Sequence, residues 1–210
     1  MFKYLLTWLL SMYGYVLFIP QGGLNDCFAR IWEVINYCKA NNRIMLLDMT
    51  RSQYAFNFSH YFYIMNCECK IIYDTEMIKE IINTKKFSIH PVNLPCTPIE
   101  LLTDRNIRLE YKPGSPYICN DIPLPLPENN VTEEIIIHSR CGGGDGFSFF
   151  INNVFINNTL KEICQEKIKV LGNKYLCIQV RHTDIKCDYK SLYENHKDLI
   201  HSYTYILIKI

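Results

Sequence analysis

Apolar residues along the first fifty positions recur with two different periods, which predict a strand, a helix and a second strand. The continuous apolar run from Tyr15 to Ile19 is typical of a strand buried on both faces. From about Cys27 to Ala40 the apolar side chains recur at helical spacing, which predicts an amphipathic helix with Asn25 or Asp26 as its N-cap. Residues 43 to 48 form a second apolar run. The order of strand, glycine turn, helix and strand predicts a parallel βαβ unit.

Similar patterns continue to the end of the chain. Buried strands are predicted from Glu134 to His138 and from Tyr175 to Val180, with an amphipathic helix from Asn158 to Val170 between them. Shorter patterns predict helices at 76–82 and 190–201, strands at 87–89 and 205–210, and an edge strand at 107–111. The proline-rich segments 91–98 and 113–127 are typical of long surface connections.

These elements predict an α/β fold with a Rossmann-like parallel sheet and flanking helices. We expect three regions: an apolar N-terminal extension at 1–14, an N-terminal Rossmann-like domain at 15–172, and the beginning of a second, nucleotide-sugar-binding domain at 173–210. Between 56 and 73 the chain is rich in aromatic residues. Core packing is the first interpretation of these rings, and an aromatic platform for a sugar or a base is the alternative.

The N-terminal apolar run, Tyr4 to Ile19, has two interpretations. It follows a single lysine, as in a signal peptide or signal anchor, but it is shorter than the ~20 residues of a spanning helix and contains Gly14. We therefore interpret its second half as the first strand and residues 1–12 as an apolar extension. A membrane anchor, with a membrane-associated or secretory-pathway location, remains the alternative to the expected cytoplasm.

Composition and charge narrow the classes of partner. Hydrophobic residues make up 49% and charged residues 20% of the 210 positions, as in a folded globular protein, and the net charge of +1 predicts no attraction to nucleic acid. None of the 10 cysteines forms a Cys-x-x-Cys pair. Cys38, Cys164 and Cys177 lie in periodic apolar stretches, where we expect them to be small core residues. Neither a structural metal nor a disulfide framework is expected.

Charged and polar residues follow the predicted strand at Tyr175 to Val180. They are Arg181, His182, Thr183 and Asp184. Ligands of open α/β sheets bind outside the carboxyl ends of the strands, so these residues are candidates for a site. The planar guanidinium of Arg181 suits a phosphate or diphosphate, and Asp184 can orient it or accept from a sugar hydroxyl. The alternative is an ion pair at the protein surface.

Two glycine turns complete the candidate site. Gly22 and Gly23 precede Asn25 and Asp26 before the first helix, where backbone N–H groups can face a ligand. The turn matches neither the dinucleotide-binding nor the P-loop pattern. The second turn contains Gly142 and Gly143 after the strand at 134–138, and no helix is clearly predicted behind it. Each turn is interpreted as either a wall of the binding cleft or a structural connector.

Three stretches together resemble one family. They are Ile19-Pro-Gln-Gly-Gly-Leu-Asn-Asp26, the strand and glycine triplet from Ile135 to Gly144, and Val180-Arg181-His182-Thr183-Asp184, which is similar to a His-x-Arg-x-x-Asp motif. In this order they resemble the fucosyltransferase-like glycosyltransferase superfamily, which includes nodulation-type α-1,6-fucosyltransferases and protein O-fucosyltransferases.

The resemblance implies a function and a set of roles. It implies a GT-B architecture and an inverting, metal-independent transfer of fucose from GDP-fucose to a glycan or glycoprotein hydroxyl, with no cofactor besides this donor substrate. It also implies that Arg181 contacts the donor diphosphate and that Asn25, with Gly22 and Gly23, lines the cleft. The partners are then a nucleotide sugar and a glycan or glycoprotein acceptor.

Two departures from the family pattern modify this expectation. Gln179 stands where the motif has histidine, and glutamine cannot titrate or carry charge. The sequence ends at Ile210, before the later donor-binding elements of the family. We therefore expect an incomplete donor domain, and the chain is interpreted as a fucosyltransferase-like enzyme or as an inactive fragment of one. The alternative is a non-catalytic carbohydrate-binding or interaction module derived from such an enzyme.

Overall fold

The computed structural model describes residues 14–52, 54–110, 116–171, 175–179 and 205–209. The chain divides into two compact units, Met1–Asn157 and Asn158–Ile210. The strands of the first unit are β1 (Gly14–Gln21), β2 (Arg43–Leu47), β3 (Phe62–Ile64), β4 (Ile71–Ile72), β5 (Ile89–His90), β6 (Leu109–Glu110), β7 (Ile118–Cys119), β8 (Ile122–Pro123), β9 (Ile135–Cys141) and β10 (Val154–Ile156). Its helices are α1 (Leu24–Ala40), α2 (Thr75–Ile82), α3 (Pro98–Thr103) and α4 (Gly146–Asn153), with a short 3-10 helix at Phe58–His60.

Five parallel strands form the main sheet of the first unit, in the order β4-β2-β1-β9-β5. The central strand β1 has Val16 opposite Met45 of β2 on one side and Ile136 of β9 on the other. These strands are continuous apolar runs because both faces of the sheet are covered. The predicted α/β, Rossmann-like fold is confirmed.

Alternate residues of β1 enter two different cores. Val16 and Phe18 pack with the apolar face of α1, which contains Ile31 and Val34. Leu17 enters the opposite core, together with side chains from α2 and α3. The aromatic stretch 56–73 supplies Phe58 to the α1 core, with Phe56, Phe62 and Tyr73 packed against it. Core packing, the first interpretation of these rings, therefore agrees with the structure.

The helix boundaries around the glycine turns differ from the prediction in two places. Helix α1 begins at Leu24 with Gly23 as its N-cap, so the prediction of Asn25 or Asp26 is wrong. Asp26 occupies the third helical position, where its carboxylate accepts from the Gly23 N–H at 3.1 Å. The glycines after β9 do lead into a helix, α4, because Asp145 caps it by accepting from the Phe147 and Ser148 N–H groups.

The proline-rich segments contain short elements that the sequence pattern did not predict. Helix α3 begins with Pro98 directly after Thr97, whose hydroxyl accepts from the Glu100 N–H while the Glu100 carboxylate accepts from Thr97 in return. Strands β7 and β8 form a hairpin closed by Asn120 and Asp121, both with positive φ. The predicted edge strand at 107–111 is observed as the two-residue β6, which pairs with β7.

The second unit contains one helix and two parallel strands among its described residues: α5 (Asn158–Leu171), β11 (Tyr175–Gln179) and β12 (Tyr205–Lys209). These elements match the predicted bounds within one residue. The thiol of Cys164 is exposed, so its assignment to a core is wrong, whereas Cys38 is buried. The side chain of Cys177 lies outside the described part of the chain.

Several predictions fall on residues that the structure does not describe. They concern the extension 1–12, the helix at 190–201, and the candidate site residues Arg181, His182, Thr183 and Asp184. Among the described residues, no helix is both long enough and apolar enough to cross a membrane. The compartment and the domain boundary at 172 stay predictions.

Candidate functional site

The carboxyl ends of the adjacent strands β1 and β9 carry the two glycine turns. Gln21 and Cys141, their last residues, are opposite one another in the sheet, so Gly22 and Gly142 leave the sheet side by side. The chain runs from β1 through β2 to β4 in one direction, while β9 lies on the other side of β1. The strand order therefore changes direction between β1 and β9, and open α/β sheets bind ligands at such a point. We name it the glycine crevice: Gly22, Gly23, Asn25, Asp26 and 142–144.

Two of the glycines are required by close approach or by backbone conformation. Gly22 has a φ of +89°, and a Cβ there would lie 2.3 Å from the Cys141 sulfur. Gly142 has a φ of +79°, and a Cβ at this position would meet no atom within 4 Å. Its requirement for glycine is therefore conformational, and the space beside it is open.

Polar contacts fix the second turn against the first helix. The Asn25 side-chain amide donates to the Gly144 carbonyl at 3.4 Å, and the Arg30 Nε donates to the Gly142 carbonyl. Arg30 also pairs with Glu33, whose other oxygen lies 3.6 Å from Arg140. Arg30 and Glu33 alternate with the apolar positions of α1, which by itself indicates only that they lie on its polar face. No sequence signal indicated that this face meets a loop more than one hundred residues later.

Carboxylates occupy both helix N-termini at the crevice. Asp26 accepts from the Gly23 N–H, and Asp145 accepts from the first turn of α4. Hydrogen bonds from Ser148 hold the pKa of Asp145 below its ordinary value, so it is ionised at neutral pH. Because negative charge already lies where a helix would bind a phosphate, the crevice is poorly suited to a diphosphate. Its carboxylates and glycine carbonyls can accept hydrogen bonds from hydroxyl groups.

Cysteine chemistry is not supported at the crevice. Burial raises the pKa of Cys27 to about 12 and also raises the pKa of Cys141. Neither thiol is therefore ionised at neutral pH, and a thiolate nucleophile is not available there. Within the described part of the chain, no three His, Cys, Asp or Glu side chains are grouped to hold a metal ion. Metal independence stays a prediction.

The structure thus brings together six of the candidate residues: Gly22, Gly23, Asn25, Asp26, Gly142 and Gly143. Arg181 and its neighbours lie outside the described residues. That any of these positions binds a substrate stays a prediction.

The sheet order and its flanking helices define an α/β, Rossmann-like fold. The chain is similar to structures of NodZ α-1,6-fucosyltransferase. One, soaked with GDP-fucose, has a TM-score of 0.55 and 12% sequence identity over 94% of this chain and 72% of the NodZ chain. NodZ from Bradyrhizobium gives the same values, and a co-crystal with GDP gives a TM-score of 0.54. No protein family model and no curated protein matches the sequence. At this identity the similarity establishes the fold.

Proposed function

We propose that this protein is a glycosyltransferase that transfers fucose from GDP-fucose to a hydroxyl of a glycan or protein, with inversion at the sugar carbon. The observation that carries the proposal is the structural similarity to NodZ, which covers 94% of the chain with a TM-score of 0.55; one NodZ structure was soaked with GDP-fucose. The stretch Val180 to Asp184 supports it independently, because it resembles the donor-binding motif of the superfamily.

Arg181 is proposed to contact the donor diphosphate. Its guanidinium is always charged and can donate to two phosphate oxygens at once. In an inverting transfer, the acceptor oxygen forms a bond to the sugar carbon as the bond from that carbon to GDP breaks. GDP leaves with the electron pair, so a fixed positive charge beside it lowers the barrier. Asp184 orients Arg181 or accepts from a donor hydroxyl, and His182 and Thr183 contribute polar groups beside it.

The glycine crevice is proposed to hold the acceptor. The Asp26 carboxylate uses Oδ2 to accept from Gly23, and its Oδ1 has no hydrogen bond to any described residue. It is therefore free to accept from an acceptor hydroxyl, while the open space beside Gly142 permits a sugar ring to approach the backbone. The acceptor hydroxyl loses its proton as the new bond forms, and the Asp26 carboxylate, which accepts the hydrogen bond from this hydroxyl, takes up the proton.

Calorimetric titration of the chain with GDP and GDP-fucose tests donor binding. We expect both to bind, and UDP to bind more weakly because its base differs. Arg181→Ala should weaken GDP binding by roughly tenfold or more, since it removes two charge-assisted hydrogen bonds. The control is Lys70→Ala, which removes one exposed positive charge and should bind GDP as the unaltered protein does. Absence of GDP binding, or an Arg181→Ala variant that binds normally, would remove the donor assignment.

A non-catalytic carbohydrate-binding module is the second candidate function. It is favoured by one observation: the crevice suits hydroxyl groups without any nucleotide, because both of its helix N-termini carry carboxylates. Release of GDP from GDP-fucose in the presence of a glycan library distinguishes the two functions. Glycan binding that Asp26→Ala abolishes, with no GDP released, would favour the binding module.

A further inference from the structure

A second concave feature lies at the end of β1. It is a cavity of about 430 Å³ lined by three arginines, Arg51, Arg105 and Arg108, together with Gln21 and Glu110. Gln21 is the last residue of β1, and the next residue, Gly22, belongs to the glycine crevice. The cavity and the crevice therefore adjoin at the same edge of the sheet. No resemblance or motif in the sequence pointed to this cavity.

Two loops hold the cavity in a fixed shape. The Gln21 side chain donates to the Arg51 carbonyl at 3.0 Å, which ties the loop after β2 to the end of β1. Arg51 in turn donates through Nη1 to the Asp104 carbonyl at 3.1 Å and through Nη2 to the Ile107 carbonyl. Arg105 donates in the opposite direction, to the Thr50 carbonyl at 3.0 Å. Because these bonds connect the loops reciprocally, Arg51 and Arg105 are positioned before any ligand arrives.

The charges of the cavity wall are unbalanced. Among the described residues that line the cavity, Glu110 is the one carboxylate. Asp48, nearby, is buried and accepts from the Thr50 and Thr75 hydroxyls, and Asp104 accepts from the Asn106 N–H in its own turn. Burial, and then the charge of Arg105, lower the pKa of Arg51, and the charges of Asp48 and Asp104 offset this lowering only in part. The Arg51 Nε is buried and has no hydrogen-bond partner among the described residues. An anion in the cavity would offset the repulsion between the positive charges of Arg51 and Arg105.

We propose that this cavity binds the carboxylate or sulfate of an acidic sugar. The exposed guanidinium groups of Arg105 and Arg108 offer the donors that such planar or tetrahedral oxyanions accept, while Arg51 adds positive charge with its Nη atoms bound to carbonyls. A cavity of this volume suits a ligand of the size of a sugar ring rather than a lone ion. Resting on the proposed function, the inference is that the acceptor is an acidic glycan. Its charged group binds the arginine cavity while a hydroxyl lies at the glycine crevice.

Three tetrasaccharides test the ligand class by calorimetric titration against the full chain. They are neutral cellotetraose, its sulfated derivative, and tetragalacturonate, which carries carboxylates. We expect at least one acidic probe to bind roughly tenfold or more tightly than cellotetraose, and the preferred probe identifies sulfate or carboxylate as the recognised group. Equal binding of all three, or no binding of the acidic probes, would overturn the proposal.

A matched pair of double variants tests the location. Arg105→Ala with Arg108→Ala removes two exposed positive charges from the cavity, whereas Lys70→Ala with Lys86→Ala removes two exposed charges elsewhere. Both change the net charge equally, so non-specific attraction falls equally in both. We expect the arginine pair to weaken acidic-probe binding roughly tenfold or more and the lysine pair to leave it within about twofold. Equal effects of the two variants would contradict a site at this cavity.

Titration of the same preparations with GDP separates this inference from the proposed function. Binding of an acidic tetrasaccharide without GDP binding would leave the cavity assignment standing and remove the donor assignment. GDP binding without preference for acidic probes would leave the donor assignment standing and remove the cavity assignment. The Arg105 and Arg108 variant should bind GDP normally, because the donor contact is proposed at Arg181.

Discussion

Gly146 is the residue at which the two helices of the glycine crevice come closest. A Cβ at this position would lie 2.0 Å from the Asn25 carbonyl oxygen and 2.8 Å from the Ala29 nitrogen, both of them backbone atoms. Helix α4 can therefore rest on the first turn of α1 only because residue 146 has no side chain. The shape of the crevice depends on this contact as much as on the glycines that line it.

Gly146→Ala should lower the free energy of unfolding by about 3 kcal/mol or more, because backbone atoms must move apart to admit the methyl group. The matched control is Gly142→Ala. Its added methyl group meets no atom within 4 Å, but its φ of +79° should cost about 1–2 kcal/mol. Urea unfolding of both variants measures the difference. Equal losses of stability would contradict the close approach of α4 to α1.

His138 is a buried imidazole in the middle of the sheet. Its ring stacks on Phe18 with centroids 5.1 Å apart, and Nδ1 lies 2.9 Å from the Leu124 carbonyl oxygen, which accepts from it if that nitrogen carries the proton. Nε2 is buried with no partner among the described residues. Burial lowers the pKa to about 4, and the hydrogen bond to Leu124 and the charges of Glu33, Arg140 and Arg30 modify it further.

The free energy of unfolding should therefore fall as the pH is lowered from about 6.5 to about 4. In this interval the unfolded chain binds a proton at His138 and the folded protein does not. The contribution is complete above the ordinary histidine pKa and amounts to roughly 3 kcal/mol. Asp48, whose pKa burial raises, acts in the opposite direction. Denaturation at several pH values should give a difference between the protein and His138→Gln that changes in this interval. A constant difference would show that His138 does not contribute.

At the scale of elements, the sequence pattern predicted best where an element is long enough to show its period. Strands β1, β2 and β9 were recognised because a strand covered on both faces is a continuous apolar run. Helix α1 was recognised because three to four residues in every two turns are apolar on its covered face. Helix α3 was missed because six residues are too few to show a period. The β7-β8 hairpin was missed because Asn120-Asp121, its turn signal, lies in a proline-rich segment.

Asp145→Ala should lower the midpoint of thermal unfolding by a few degrees, because the N–H groups of Phe147 and Ser148 lose their acceptor. Asp145→Asn keeps an acceptor oxygen and should retain most of the stability. The α4 cap should also persist into acid, since hydrogen bonds hold the pKa of Asp145 below its ordinary value. Thermal unfolding followed by circular dichroism at pH 7 and pH 4 measures both effects. An Asn variant as unstable as the Ala variant would show that the charge, rather than the hydrogen bonds, stabilises α4.

At the scale of the whole molecule, both core clusters lie within the first unit. Their members extend from Tyr15 to Val154, and all five strands of the main sheet lie in the same interval. The second unit begins at Asn158, immediately after β10. The first unit therefore contains a complete sheet with a core on each face.

A fragment ending at Asn157 should fold and unfold cooperatively by itself, because it retains the sheet and both cores. Urea unfolding monitored by fluorescence of its tryptophans measures this. A fragment ending at residue 134 serves as the control. It lacks β9, the neighbour of β1, and should show no cooperative transition. If the longer fragment were also unfolded, residues after Asn157 would be required for its stability.

The sequence by itself determined the α/β class, the parallel βαβ beginning and the identity of the two glycine turns. Each of these follows from local patterns: the period of apolar residues, and the few residue types that tolerate a tight turn. The tertiary structure decided which turns meet. Asn25 and Gly144 are 119 positions apart, and they come together only because β9 inserts beside β1 in the sheet. The tertiary structure also placed Arg51, Arg105 and Arg108 around one cavity, although their spacing in the sequence does not indicate a shared site. Strand order and loop packing result from the burial of the whole chain, which no local stretch encodes.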